Sequence, residues 1–282
     1  MARRAEDVGV DSLWLGDHLL YRFADASVRG PWEAWSVMSA LAAVTERVVL
    51  GPLVACTAYR NPAVLAKEAA TLDEISGGRF VLGLGAGWNQ VEFEAFGLPF
   101  DHRVSRFAEA FTIISTLLRE GAVDFAGEYY TARDCVLVPQ GPTPGGPPLL
   151  VGSTGPRMLA VTAPHADAWN AWYGDTGNTP EGVAPLRARV DEAVSAAGRR
   201  PEEVARTVAV LLRMAGGTGR FMGDYPGSGT APALQGSPEE VAAELAAYAD
   251  AGVEEVQLVL DPITSGSIEA LGEVLAVLDA GR

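Results

Sequence analysis

The sequence predicts an α/β barrel in which parallel strands alternate with helices. Three observations support this fold class. Helix and strand alternate along nearly the whole chain, and the predicted strands are continuous apolar runs, as in parallel sheets covered by helices. Glycine-rich or polar segments follow nearly every strand, and a (β/α)8 TIM barrel gathers such segments at one rim. A doubly wound open sheet would also alternate but has no common rim, so the barrel is favoured.

The elements follow from apolar periodicity and from helix start and stop signals. Seven strands are predicted, at residues 11–15, 47–54, 80–84, 149–151, 166–170, 207–214 and 256–260. Eight helices are predicted, at residues 2–8, 32–45, 63–75, 104–119, 156–163, 180–197, 237–252 and 268–278. Pro31 and Pro62 suit a first helical turn, Ser237 suits an N-cap, and Gly77-Gly78 suits a helix end.

The alternation is interrupted twice within one predicted domain that covers residues 1–282. Residues 120–147 predict an excursion outside the barrel, and residues 215–236, rich in Gly and Pro, predict a mobile loop or lid. The length of 282 residues suits a single barrel, which takes about 250 residues.

Composition excludes several classes of partner. The formal net charge of −15 disfavours nucleic acid and anionic membranes. No apolar run reaches the ~18 residues of a membrane span, and the first residues do not predict a signal peptide, because no apolar stretch follows the arginines. Cys56 and Cys135 are isolated thiols, which suits a cytoplasmic protein. Three dispersed histidines without a cysteine cluster predict no metal site, and no GxSxG motif supports a serine hydrolase.

The first candidate catalytic group is the Asp17-His18 pair, which follows the first predicted strand. Side chains at the carboxyl ends of barrel strands tend to be functional, and an imidazole exchanges protons near neutral pH. The alternative is a buried histidine that only holds the loop. Asp17 is predicted either to orient His18 or to fix the loop as a hydrogen-bond acceptor.

Three further segments at strand ends are candidate cofactor contacts. Gly85 and Gly87 allow backbone to approach a flat ligand that Trp88 and Asn89 would cover or bind; the alternative is a simple turn. Gly152-Ser153-Thr154-Gly155 leads into a helix, and its N–H groups, hydroxyls and Arg157 suit a cofactor phosphate rather than mere capping. Trp169-Asn170 would complete the phosphate or ring contacts, or would form a packed rim.

These residues, in order and spacing, resemble the luciferase-like monooxygenase family, specifically its flavin- and deazaflavin-dependent oxidoreductases. The resemblance runs from about residue 3 to the end of the chain. The matching motifs are Asp11-Ser12-Leu13-Trp14-Leu15-Gly16-Asp17-His18, Arg60-Asn61-Pro62, Leu65-Ala66-Lys67, Ser76-Gly77-Gly78-Arg79, Leu82-Gly83-Leu84-Gly85-Ala86-Gly87-Trp88, Pro147-Pro148-Leu149-Leu150-Val151-Gly152 and Ala166-Asp167-Ala168-Trp169.

The resemblance implies a barrel of the bacterial-luciferase type and a flavin-type cofactor, with deazaflavin coenzyme F420 favoured over FMN. It implies that His18 lies beside the cofactor ring and acts in proton transfer. It also implies a bulge over Pro52–Ala55, with a non-prolyl cis peptide at Leu53-Val54 against the isoalloxazine ring. Trp88 stands where several deazaflavin-dependent relatives carry an acid–base glutamate, so this chain departs from them there.

Such relatives begin with a strand before the first helix, and this sequence shows none, so we expect either a late start or a truncated copy. Because many barrels of this family form dimers, the resemblance also leads us to expect a homodimer.

The sequence thus predicts hydride transfer between F420 and a small organic substrate. The alternatives are an FMN-dependent monooxygenase that uses molecular oxygen, a non-catalytic or degenerate cofactor-binding member, and a cofactor-free lyase or isomerase that uses the same anion site.

Overall fold

A parallel barrel forms the core of the computed structural model, which describes residues 1–219 and 231–281. Its strands, in chain order, are β1 (Ser12–Leu15), β2 (Tyr21–Arg22), β3 (Val28–Arg29), β4 (Val49–Pro52), β5 (Ala55–Cys56), β6 (Leu82–Gly85), β7 (Ala122–Ala126), β8 (Thr131–Val136), β9 (Leu149–Val151), β10 (Ala168–Ala171), β11 (Ala205–Arg213) and β12 (Glu255–Asp261). The apolar runs of the sequence form the parallel strands, as predicted.

The parallel strands pair in the order β12-β11-β10-β9-β6-β5, and β1 pairs with β4. A parallel bridge between Leu50 and Phe80 joins β4 to the segment that enters β6. Because β5 continues the path of β4 after a bulge, the described residues supply seven strand positions. The predicted TIM barrel is confirmed, with an opening between β1 and β12.

Helices surround the barrel. They are α1 (Ala2–Asp7), α2 (Ala34–Val44), α3 (Pro62–Ser76), α4 (Gln90–Phe96), α5 (Arg103–Glu120), α6 (Pro156–Thr162), α7 (Tyr173–Thr176), α8 (Val183–Ala196), α9 (Pro238–Asp250) and α10 (Ser265–Ala280). The eight predicted helices all form, and the short α4 and α7 are additional. Across residues 1–219 and 231–281, no helix combines the length and the apolar character that a membrane span requires.

Local chemistry explains where these helices begin and end. The Asn61 side chain accepts hydrogen bonds from two N–H groups of the first turn of α3, and Gly77 ends that helix with φ +66°. Ser237 and Glu240 form a capping box at the start of α9. The predicted start of α2 near Pro31 is wrong by a few residues, because Glu33 caps that helix from outside.

The structure describes all of the first predicted interruption, residues 120–147, and part of the second, residues 215–236. Within residues 120–147, β7 and β8 form an antiparallel hairpin beside α5. The predicted loop or lid at residues 215–236 lies partly outside the described residues, which omit 220–230. Its last part returns to the barrel, where Leu234 forms a bridge with Leu212.

The cap of α2 generates a pH-dependent prediction. Oxygens of Glu33 accept hydrogen bonds from the N–H groups of Ser36 and Trp35, at 2.7 and 3.1 Å, and one accepts from Arg60 at 2.7 Å. Partial burial raises the pKa of the Glu33 carboxyl, but the bonds from Ser36, Trp35 and Arg60 lower it to about 2 from its usual 4.5. The stabilisation is therefore complete above pH 4.5 and is lost as pH falls toward 2.

We expect Glu33→Ala to lower the free energy of unfolding by about 1 kcal/mol at pH 7. The loss should shrink in urea titrations at pH 3, because the wild-type carboxyl group is then almost entirely protonated in the unfolded state. Glu120→Ala, at the exposed end of α5, is the control and should change stability by less than about 0.5 kcal/mol at either pH. An equal loss for Glu33→Ala at pH 3 and pH 7 would contradict the assignment.

Candidate active site

A cavity of about 1630 Å³ begins at the rim formed by the carboxyl ends of the strands. Its volume exceeds the roughly 300–1,000 Å³ of ordinary small-molecule sites. Near the rim its lining includes the rings and aliphatic side chains of His18, Tyr21, Phe23, Leu53, Trp172, Pro262 and Ile263, together with the charged Asp25, Arg29 and Asp261. The rim is where side chains from several strands converge, so this end of the cavity is the candidate site.

His18 lies directly beyond β1 and borders the cavity. Its side chain is 14% exposed. The ring lies between two aromatic neighbours, with ring centroids 4.8 Å away for Tyr21 and 5.4 Å away for Trp88. The imidazole is therefore held in one place while part of it remains open to the cavity.

A buried carboxylate, Glu92 on α4, fixes the imidazole from behind. Its Oε1 lies 2.7 Å from His18 Nδ1 and also accepts a hydrogen bond from the Asn89 amide. Its Oε2 accepts from the Leu19 N–H at 2.9 Å and from the Tyr59 hydroxyl at 2.5 Å. Four donors thus converge on one fully buried carboxyl group.

This arrangement determines the charge of the group. Burial raises the pKa of the Glu92 carboxyl, but the hydrogen bonds and charge of His18, with the bonds from Tyr59 and Leu19, lower it below its usual value. Burial, with Cys56 and Glu92 beside it, raises the pKa of the Tyr59 phenol, so that hydroxyl stays protonated and donates. Glu92 is therefore an anion at neutral pH.

The bond to an anionic oxygen selects the tautomer of His18. When the ring is neutral its proton lies on Nδ1, as in other histidines held by a carboxylate, which leaves Nε2 as the basic nitrogen. When the ring gains a second proton, Glu92 stabilises the resulting charge. In the His18–Glu92 pair, His18 can therefore act as a proton acceptor whose orientation is fixed.

Asp17 does not orient His18, so that part of the prediction is wrong. The carboxyl group is buried and faces away, where its oxygens accept hydrogen bonds from both terminal nitrogens of Arg60, at 2.7 and 3.1 Å, and from the Cys56 N–H at 3.0 Å. The alternative role, fixing the loop as an acceptor, is the one observed. Asp17 is 3% exposed and does not line the cavity.

The bulge between β4 and β5 has the geometry that the resemblance implied. The Leu53–Val54 peptide bond is cis, and Leu53 lines the cavity beside His18. Val54 packs against glycines of neighbouring strands: a Cβ at Gly85 would lie 2.6 Å from Cγ2 of Val54. Ala55 is fully buried, and its contact with a cofactor stays a prediction.

Residues of the segment after β6 take part in packing and hydrogen bonding that the sequence did not indicate. Gly87 has φ +75°, and a Cβ there would lie 2.6 Å from Cys56 Sγ and 2.7 Å from Phe93 Cζ. The glycine is therefore required by the protein's own packing. Asn89 is buried, and its amide bonds to Glu92 and to the Leu20 carbonyl, while its ligand contact stays a prediction.

The segment Gly152-Ser153-Thr154-Gly155, which is predicted to bind a phosphate, is at least partly exposed to solvent. Gly152 is exposed, and Ser153 Oγ accepts a weak hydrogen bond from the Gly155 N–H at 3.4 Å, so phosphate binding at Gly152-Ser153-Thr154-Gly155 stays a prediction. Arg157 is exposed and bonds to Ser105 Oγ at 3.2 Å. Of the predicted cofactor contacts within the described residues, only Leu53 lines the large cavity.

The side chains of Trp169 and Asn170 are both buried, and their contacts with a cofactor stay a prediction. Trp169 is fully buried outside the strand layer, and its Nε1 donates to the Ser153 carbonyl at 3.1 Å. Asn170 points into the barrel interior, where its amide bonds to Thr207 Oγ1 at 2.9 Å and to Gln257 Oε1 at 2.8 Å. Alternation along β10 places the two residues on opposite faces.

Sequence reasoning did not identify Tyr59, Arg60 and Glu92 as site residues. One signal for Glu92 was available, since it follows Asn89 by three residues, which brings both to one side of a helical turn. Arg60 lies in the matching motif Arg60-Asn61-Pro62, but its carboxylate partner comes from another strand.

The barrel, the bulge with its cis peptide and the histidine at the first strand's end define a TIM-barrel protein of the bacterial-luciferase type. A family model described as luciferase-like monooxygenase matches residues 1–216. The chain therefore belongs to the luciferase-like monooxygenase family.

Curated relatives cover part of this chain. Pyrimidine monooxygenase RutA from Enterobacter sp. (strain 638) is 37% identical over 172 residues, which is 59% of this chain and 46% of that protein. The protein of the same name from Enterobacter cloacae subsp. cloacae is 38% identical over 173 residues, with the same coverage. The matched segment thus spans about half the length of these relatives.

Solved structures share the fold over nearly the whole chain. An F420-dependent secondary alcohol dehydrogenase, solved with an F420-acetone adduct, has a TM-score of 0.81 at 21% identity and covers 98% of this chain and 93% of its own. A long-chain alkane monooxygenase (LadA) has a TM-score of 0.79 at 15% identity, covering 99% and 82%. At these identities the likeness shows the fold alone.

The Asp17–Arg60 ion pair generates a stability prediction. Asp17→Asn leaves Arg60, whose side chain is 14% exposed, without its charged partner in the interior. We expect a loss of about 3 kcal/mol in the free energy of unfolding, at the low end for a broken buried pair because Arg60 keeps Glu33. Urea denaturation measures it.

Asp11→Asn is the matched control, because Asp11 pairs with Arg47 on the surface, where its side chain is 94% exposed. That variant should change stability by less than about 1 kcal/mol. Equal losses for the two variants would show that the Asp17–Arg60 pair does not anchor the rim.

Proposed function

We propose that this protein is an oxidoreductase that moves a hydride between a flavin-type cofactor and a small organic substrate, with His18 as the group that exchanges a proton. The observation that carries the proposal is the His18–Glu92 pair at the mouth of the cavity. When hydride leaves the carbon of an alcohol, the hydroxyl oxygen releases a proton to an acceptor, and the reverse transfer to a carbonyl needs that proton returned to the oxygen. A histidine held through Nδ1 by a buried anion meets that need.

The residues present fit a flat, three-ring cofactor. The cavity is large, and its rim end has aromatic and aliphatic walls with Leu53 at the cis peptide on one side. Leu53 would contact the ring, and the accessible segment Gly152-Ser153-Thr154-Gly155 with Arg157 would bind a phosphate. When bound, the cofactor supplies the redox chemistry, and the protein holds the ring and manages the proton.

Different observations support two candidate cofactors. F420 is the first choice, because the Asp17-His18 segment resembles deazaflavin-dependent family members and because a structural neighbour of the whole barrel is an F420-dependent alcohol dehydrogenase. FMN, with molecular oxygen as co-substrate, is the second candidate, because the curated relatives at 37–38% identity are named pyrimidine monooxygenases. In either case the substrate is an organic molecule.

Titrating the protein against F420 and against FMN, each followed by quenching of cofactor fluorescence, tests the proposal. We expect saturable quenching by F420 and weaker quenching by FMN. The reverse order would select the FMN-dependent reaction. An absence of binding to both would reject a flavin-type oxidoreductase.

With the preferred cofactor, His18→Ala should lower kcat about 10²–10⁴-fold, the usual contribution of a general acid or base, while cofactor binding persists. His165→Ala is the control, because His165 is exposed at the opposite, helix-to-strand side of the barrel. Unchanged turnover in His18→Ala would remove the histidine from the mechanism.

Glu92 acts through His18 and is a positioning residue. We expect Glu92→Gln to lower kcat at least about tenfold while KM changes little, since a neutral amide does not stabilise a charged imidazole. The pH dependence of kcat should also shift, which a purely structural loss would not cause. Glu94→Gln, on the same helix but exposed, is the control and should retain the wild-type profile.

A further inference from the structure

Four carboxyl groups are buried within residues 1–219 and 231–281, those of Asp17, Asp73, Glu92 and Asp261. A carboxylate that is removed from water is costly unless hydrogen bonds replace those of the solvent. The oxygens of Asp17 accept three hydrogen bonds, and those of Glu92 accept four. Each oxygen of Asp73 accepts one from Thr143, at 3.0 and 3.1 Å. The protein itself therefore satisfies three of the four groups.

Asp261, the last residue of β12, is only partly satisfied. Its Oδ2 accepts a hydrogen bond from the Gly219 N–H at 2.8 Å, and Arg213 Nε lies 3.9 Å from the same oxygen, which is beyond hydrogen-bond distance. No donor from the described ranges of the chain reaches Oδ1. The side chain is nonetheless only 9% exposed. Among the buried carboxyl groups that the structure describes, Asp261 is therefore the one with an oxygen that accepts no hydrogen bond.

Strand alternation places the Asp261 side chain on the interior face of the barrel. Glu255 bonds to Ser12, and Gln257 bonds to Asn170, and these contacts lie inside the barrel. Residues two and four positions further along a strand share the same face, so Asp261 points inward as Gln257 does. Because Asp261 ends the strand, it lies at the carboxyl end, where barrels hold their functional groups.

Asp261 and His18 face the same cavity. Both residues line it, whereas the three satisfied carboxyl groups, Asp17, Asp73 and Glu92, do not. His18 follows β1 and Asp261 ends β12, so both groups lie at the rim formed by the carboxyl ends of the strands. A molecule held at this rim therefore meets a proton acceptor from one strand and a carboxylate with unused capacity from another.

The unbonded oxygen determines the chemistry of its partner. A carboxylate oxygen accepts hydrogen bonds, so the partner must donate one, and an anionic group would be repelled. An ammonium group would have to lose its hydration beside Pro262 and Ile263, which also line the cavity, and Arg213 already lies 3.9 Å from the carboxylate. A neutral hydroxyl or N–H group loses less hydration and still forms a charge-assisted hydrogen bond. A neutral donor therefore fits this oxygen best.

We propose that Asp261 Oδ1 accepts a hydrogen bond from a neutral hydroxyl or N–H group of the substrate, at a position remote from the carbon that reacts beside His18. The substrate class is then an alcohol or carbonyl compound that carries a second donor group. The binding of such a molecule stands on the geometry of Asp261, and only its conversion rests on the proposed oxidoreductase function.

Two matched probes test the proposal, trans-cyclohexane-1,4-diol and cyclohexanol, which differ by one hydroxyl group. Saturation-transfer difference NMR measures the Kd of each probe, for the chain alone and with the preferred cofactor added. We expect the diol to bind at least about tenfold more tightly than cyclohexanol, the usual effect of a hydrogen bond to a charged group. If the enzyme converts both alcohols, kcat/KM should show the same preference.

Variants assign that preference to one carboxylate. Asp261→Asn, which keeps the shape but removes the charge, should lower the ratio of the two Kd values severalfold, and Asp261→Ala should bring it to about one. Asp25→Asn is the control and should keep the wild-type ratio, because Asp25 lines the same cavity but is exposed and accepts the Ser27 N–H within its own hairpin. Circular dichroism checks that each variant folds.

Equal Kd values for the two probes in the wild-type chain would overturn the proposal, as would a preference for the diol that persists in Asp261→Ala. Failure of the chain to bind either probe would overturn it as well. A preference that depends on Asp261 in a chain that quenches neither F420 nor FMN would leave the donor site in place and reject the oxidoreductase function.

Discussion

The charge pair between Asp17 and Arg60 connects three parts of the rim that are distant in sequence. Burial lowers the pKa of the Arg60 guanidinium, but Asp17 and Glu33 raise it above its usual range, so the cation persists away from water. Asp17 also accepts the Cys56 N–H, which attaches the end of β1 to β5. The ion pair thereby positions His18, the next residue, and the bulge before β5, and through Glu33 it reaches the start of α2.

Glu92 is held in place by that framework, and it fixes the orientation and the tautomer of His18. Its four donors come from the loop after β1, the turn after β5 and the start of α4, so its position depends on all three segments being in place. A carboxylate without these donors would be costly to bury. Trp88 stands where several deazaflavin-dependent relatives carry a glutamate, while Glu92 supplies a carboxylate from a different direction.

Several features could be predicted because they depend on local chemistry. Apolar runs gave the seven strands, Asn61 and Ser237 gave two helix starts, and the family resemblance gave the cis bond at Leu53–Val54. The surroundings of other candidate residues depend on tertiary placement. Alternation along β10 requires Trp169 and Asn170 to face opposite sides, but their sequence does not show which side is the barrel interior. Asp17 has its partner 43 residues away, which no local pattern indicates.

The hydrogen bond between Ser12 and Glu255 spans 243 residues of chain. Both partners belong to the barrel interior, so this contact requires the first and the last described strands of the barrel to be present together. Contacts between such distant residues carry a large loop-closure cost, and folds that depend on them form slowly. During synthesis on a ribosome, the interior of this barrel therefore stays incomplete until Glu255 has emerged.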